Sequence, residues 1–148
     1  MDNYRSRYQP PFRWEGIEVL PYKRQGPHFR GVTRQVLIRD LPGLDAQVRY
    51  FEIEPGGYST LERHEHAHGV IVLRGSGRVL IGEEIMPVAP YDVIRIPPMT
   101  WHQFRASEEE PLGFLCIVNA ERDRPQRPSE EDLARLQEHP EIAAFIRF

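Results

Sequence analysis

Between Val32 and Val118 apolar residues fall in short runs that alternate with polar ones, the period-two pattern of strands buried on one face. The runs cover 34–39, 47–54, 69–73, 78–81, 93–96, 101–104 and 112–118. Turn-forming clusters separate them: Leu41-Pro42-Gly43, Pro55-Gly56-Gly57, Gly75-Ser76-Gly77, Gly82-Glu83-Glu84, Pro97-Pro98, and Ser107 to Pro111. Many short strands, frequent turns and no helical period predict an all-β sandwich or barrel.

The flanks read differently. Residues 1–30 carry Arg, Pro and aromatics (Tyr4, Tyr8, Phe12, Trp14) without a period, which predicts an arm that docks on its own barrel or on a partner subunit. Beyond the barrel, Pro125 and Pro128 end the strand pattern, and Ser129-Glu130-Glu131-Asp132 has the form of a helix N-cap with an acidic first turn. Leu133, Leu136 and Gln137 give a short stripe, and Pro140 restarts a second helix carrying Ile142, Ala143, Phe145 and Ile146. The expected organisation is an arm (1–30), a β-barrel (31–120) and a helical tail (121–148), since 148 residues suffice for one buried core.

Composition narrows the partners. A net charge of -3 gives no case for broad nucleic-acid or anionic-membrane binding, so a small molecule is expected. No apolar run approaches the roughly 18 residues of a membrane helix, and the N-terminus lacks a signal-peptide apolar region, so a cytoplasmic protein is expected. Cys116, the single cysteine, rules out an internal disulfide and reads as a small buried residue on an apolar strand, with a pocket-facing thiol as the alternative.

The chemistry concentrates in histidine. Of six histidines, three alternate as His64, His66 and His68, and His102 follows Pro97-Pro98-Met99-Thr100-Trp101. Imidazole is the commonest protein metal ligand. On a straight strand, residues two apart are separated by about 6.6 Å and residues six apart by about 20 Å, whereas ligand bonds are about 2.0–2.2 Å. Glu62, His64, His66 and His68 therefore cannot share one ion without a bend. A turn near Glu65-His66-Ala67 would let Glu62 and His64 end one strand and His68 begin an adjacent antiparallel one, with His102 completing the set. That arrangement leaves His66 outside and one or two coordination positions open. The rival register uses His64, His66 and His102 and lacks an obvious fourth ligand. His28 and His139 have no such context and read as surface residues.

These residues resemble the two motifs of the cupin superfamily, small single-domain barrels built as a double-stranded β-helix, or jelly roll. The first motif is similar to Gly57 through Gly75, and the second to Ala89-Pro90-Tyr91-Asp92 through His102-Gln103-Phe104, including a Pro98-x-x-x-His102-x-Phe104-Arg105 pattern. The resemblance covers 43–119, about half the chain. It implies that His68 stands where many cupins have glutamate and Glu62 where they have the first histidine, preserving three histidines and one carboxylate. Tyr91 and Met99 stand where the family's turns carry glycine, and Ala106 where it has asparagine.

The expectation is thus a divalent-metal centre (Fe, Mn, Zn, Ni or Cu) held by Glu62, His64, His68 and His102. By strand alternation Val70 and Val72 share the face of His68, and Phe104 that of His102, which gives the ion an apolar, partly aromatic surround. The expected protein is a metalloenzyme acting on an oxygen-bearing organic substrate by Lewis-acid or dioxygenase-type chemistry, with Glu62 able to accept a proton. A non-catalytic ligand binder or sensor is the alternative, and a metal that only staples the barrel is a third. Arg49, Arg74 and Arg95 fall on predicted strands, where an arginine either clamps a substrate carboxylate or is merely solvated or paired. Tyr58 and Trp101 are expected near the cavity mouth, and a homodimer is expected.

Overall fold

The computed structural model describes residues 4–23 and 26–148; Met1–Asn3, Arg24 and Gln25, all within the expected arm, lie outside them. The arm holds a small hairpin of β1 (Tyr8–Gln9) and β2 (Arg13–Trp14). The remaining strands are β3 (Leu20–Pro21), β4 (Arg30–Ile38), β5 (Ala46–Tyr58), β6 (His68–Gly75), β7 (Gly77–Ile81), β8 (Glu84–Val88), β9 (Val93–Ile96), β10 (His102–Ala106) and β11 (Leu112–Asn119). Helices α1 (Glu130–Leu136) and α2 (Pro140–Phe145) close the chain.

Strands β3 to β11 pair antiparallel in one curled sheet. In it β11 lies between β5 and β6, β9 flanks β6, and β10 joins the end of β5 to β7 and β8. This non-sequential order is that of a jelly-roll barrel. Strand β8 escapes the sequence pattern because Pro87 interrupts it. Proline is tolerated there because β8 pairs only with β7, at the sheet edge.

Alternation divides the sheet into two faces. Val32, Phe51, Ile53, Val70, Val72, Phe104 and Phe114 turn inward and form the barrel core. Leu61 and Leu80 turn outward and are covered by Leu136, Ile142, Phe145 and Ile146 of the helical tail. Ser129 caps α1 by accepting from the Asp132 N–H, and the Asp132 carboxylate accepts from the Ser129 N–H, a reciprocal capping box. Fully buried Gln103 ties the tail to the barrel: its Nε2 donates to the Ser59 and Arg147 carbonyls, each at 2.8 Å. The arm packs on its own barrel, where Phe12 stacks on Tyr50 at 5.5 Å between centroids and Trp14 meets the same ring at 5.3 Å.

The two turns that carry Tyr91 and Met99 in place of glycine adopt left-handed backbone at φ 75° and 53°. Both side chains are exposed, so the cost is confined to the backbone. The Met99 N–H donates to the His64 carbonyl at 2.7 Å, linking this turn to the candidate metal site.

Candidate metal centre

Three elements bring the histidines together. After β5 the chain forms single bridges, Glu62 with His102 and Arg63 with Gln126, then bends at Glu65-His66 before β6 begins at His68. The bend falls where strand spacing requires one. Its two arms do not pair with each other as expected, however: β6 pairs with β9 and β11, while Glu62 pairs with His102 at the start of β10. The barrel curls enough for side chains to converge across it. Among the described residues, one nitrogen each from His64, His68 and His102 lies within 4.8 Å of the others.

The hydrogen bonds fix which nitrogen is offered. His64 Nδ1 donates to the His66 carbonyl at 2.6 Å, and His102 Nδ1 donates to the Thr100 carbonyl at 2.9 Å. In each ring the lone pair is then on Nε2. His64 Nε2 is buried with no hydrogen-bond partner, an unpaired acceptor of the kind that native interiors rarely leave unless an ion or water belongs there. Burial lowers the pKa of all three rings: His64 and His68 below the usual imidazole range, and His102 to about 4 against the opposing pull of the Thr100 carbonyl bond. Neutral imidazoles with free lone pairs are the state a divalent ion requires. The donor set fits such an ion.

His66 has a different role. Its ring stacks on His64 at 3.8 Å and 2°, while its Nδ1 meets Asp123 Oδ1 at 2.6 Å. The Asp123 carboxylate also accepts from the Glu65 N–H at 2.8 Å and the His66 N–H at 3.0 Å. These bonds hold Asp123 well below the usual carboxylate range, the Glu65 amide contributing most. The tail segment thus clamps the bend that carries the His64 acceptor. Glu62, 7 % exposed, lines the same cavity with Oε2 bound by Lys23 Nζ at 2.8 Å, but its carboxylate does not join the cluster of three histidines with which it was expected to hold the ion.

The histidines and Glu62 share a cavity of about 510 Å³ with Phe51, Phe104, Phe114 and Val32. Cys116 also lines it, 1 % exposed, with Arg49 Nη2 at 3.6 Å from its sulfur. Burial pushes its thiol up in pKa. Of the strand arginines, Arg49 reaches the cavity, Arg74 is bound to Glu52 at 2.6 Å, and Arg95 is exposed. Tyr58 and Trp101 do not line the mouth: Tyr58 Oη donates to the Pro27 carbonyl, and Trp101 packs in the core beneath the helices under the Arg63 guanidinium. His139 is exposed near Glu83, and His28 packs against Phe29. Lys23, Arg34, Arg122 and Asp123 also reach the cavity without having been expected there. Arg34 carried a signal, an arginine on the apolar parity of Val32 and Val36; Lys23, Arg122 and Asp123 lie outside the periodic segments and carried none.

A curled antiparallel barrel with an open-sided histidine centre defines the class, and the comparisons place it: this chain belongs to the cupin superfamily, with residues 49–118 matching the Cupin_2 family, described as a cupin domain. It is 54 % identical, over 94 % of its length and 89 % of the relative's, to a 1-methylthio-D-xylulose 5-phosphate methylsulfurylase of Rhodospirillum rubrum. A cupin 2 conserved barrel domain protein of Rhodopseudomonas palustris superposes with a TM-score of 0.92 at 53 % identity, covering 97 % of this chain and 99 % of that one. A cupin 2 domain-containing protein of Halorhodospira halophila gives 0.76 at 43 % identity, with 97 % and 94 % covered. No helix among the described residues is long and apolar enough to cross a membrane.

Proposed function

We propose that this protein is a divalent-metal-dependent enzyme acting on a small phosphorylated sugar that carries a methylthio group, the substrate class in the name of the Rhodospirillum relative. The observation that carries the reading is the convergence of three imidazoles, two with Nε2 lone pairs fixed by backbone acceptors, in a cavity large enough for a small metabolite. His64, His68 and His102 would hold the ion, which when bound supplies Lewis acidity toward a substrate carbonyl or hydroxyl oxygen.

Glu62 acts beside them. Lys23 balances its charge and holds Oε2, and Glu62 would take a substrate proton or shift to become a fourth ligand, since its carboxylate is not part of the three-histidine cluster. The aromatic wall of Phe51, Phe104 and Phe114 excludes water and suits the methylthio end of the substrate. The reading places the enzyme in the cytoplasm as a homodimer; light scattering tests the assembly.

The test is consumption of 1-methylthio-D-xylulose 5-phosphate, followed by mass spectrometry with protein loaded in turn with Mn, Fe, Zn, Ni and Cu, in air and without oxygen. Metal-dependent turnover that His64→Ala and His68→Ala abolish supports the proposal. Stoichiometric metal with tight binding and no turnover under any condition would establish the ligand-binding alternative instead.

A further inference from the structure

The inside of this barrel carries positive charge that no carboxylate neutralises. On β4, Val32, Arg34 and Val36 pair with Ile53, Phe51 and Arg49 of β5, and Arg49 pairs across with Cys116 of β11. Val32, Phe51, Ile53 and Cys116 are core residues, so the shared parity turns Arg34 and Arg49 inward. Both line the cavity that holds the histidines. Arg122, just beyond β11, joins them there, its Nη1 held by the Asn119 carbonyl at 2.9 Å and Gln47 Oε1 at 3.2 Å.

Arg124 also lines the cavity but is exposed, and two other cations are already paired. Lys23 is bound to Glu62 and Arg74 to Glu52. Among the described residues neither Arg34, Arg49 nor Arg122 forms an ion pair, and the Nε atoms of Arg34 and Arg49 are buried without a hydrogen-bond partner. The other acids of the cavity are engaged, Glu62 by Lys23 and Asp123 by the Glu65-His66 bend. The three cations also sense one another: burial lowers the pKa of Arg122, and Arg49 and Arg34 add to that shift. Arg49 is further steadied over the Phe51 ring at 4.9 Å.

A guanidinium stays charged at any physiological pH, so it cannot escape burial by losing its proton. Unpaired donors on inward-facing charges are costly unless an anion meets them. Three forks call for more negative charge than one carboxylate brings, and guanidinium geometry matches phosphate oxygens well. We propose that Arg34, Arg49 and Arg122 form an anion subsite for a phosphate monoester, which anchors one end of the substrate while its other end meets the histidines. The substrate class rests on the function proposed above; the subsite itself stands on the arginines.

Calorimetric titration of the full-length protein with inorganic phosphate, and with acetate as a monoanionic control, tests it. Wild type is expected to take up phosphate in preference to acetate. Arg34→Gln and Arg49→Gln are each expected to weaken phosphate binding by roughly 10- to 100-fold, the range for hydrogen bonds to charged groups. Arg34→Lys and Arg49→Lys, which keep charge but lose the fork, should fall between. Phosphate should raise the melting temperature of wild type and not of the Gln variants, whose ligand-free stability should equal or exceed wild type. Unchanged phosphate affinity in both Gln variants, acetate bound as tightly as phosphate, or no phosphate uptake by wild type would each overturn the subsite. Turnover of the methylthio sugar phosphate with KM unchanged in both Gln variants removes the anchor and leaves the enzyme reading intact. Arginine-dependent phosphate binding without turnover does the reverse.

Discussion

Metal-free stability should fall with pH in a window set by the buried imidazoles. His102 titrates near 4 in the folded chain and near its ordinary value of 6.5 when unfolded, because burial disfavours its charged form. About a unit or more above pH 6.5 the ring is neutral in both states and almost nothing is lost. As pH falls from 6.5 toward 4 the unfolded chain takes up the proton first, so the folded state loses ground. Between pH 7.5 and 5 this difference removes about 2 kcal/mol through His102 alone. His64 and His68 push in the same direction. Asp123 and Asp132, both lowered, lose their contributions only as pH falls through the carboxylate range, below this window. The measurement is urea unfolding of the metal-free, full-length protein at pH 7.5 and pH 5, for wild type and His102→Gln. Wild type should lose about 2 kcal/mol more than the variant over that interval. Equal losses in the two proteins would refute the reasoning and show that His102 is solvated or charged in the folded chain.

Three further outcomes follow from the site and its turns. His68→Ala should abolish stoichiometric metal binding while His66→Ala keeps it, since the His66 ring stacks on His64, gives its Nδ1 to Asp123 and lies outside the cluster of three; equal losses in a chelator competition would contradict this. Asp123→Ala should lower metal affinity by roughly 10-fold, the low end of what groups that orient ligands contribute, because it frees the Glu65-His66 bend. A metal titration showing no change would remove Asp123 from the site. Tyr91→Gly and Met99→Gly should each raise stability by about 0.5–1 kcal/mol in denaturant unfolding, since glycine relieves the left-handed backbone but costs more entropy to order.

Periodic features were legible and long-range ones were not. The strand runs, the Ser129 cap and the restart at Pro140 follow from local preferences, and each has its counterpart in the structure. The need for a bend between His64 and His68 followed from strand spacing alone. What could not be read was which strand each arm of that bend would join, because β11 is inserted between β5 and β6. Lys23 and Asp123 reach the site from 39 and 57 residues away in the chain, from segments without a period. Arg34 was readable in principle, since an arginine on an inward parity is an anomaly.

The placement of β11 also sets a schedule for the growing chain. All three histidines have been synthesised by residue 102, yet β6, already able to pair with β9, gains its second partner only from 112–117, and the bend gains its clamp only at Asp123. A nascent chain that has just exposed His102 therefore owns every ligand and lacks the frame that aims them. An ion held as proposed would therefore be captured at the end of folding, by the finished barrel rather than by a ribosome-bound fragment.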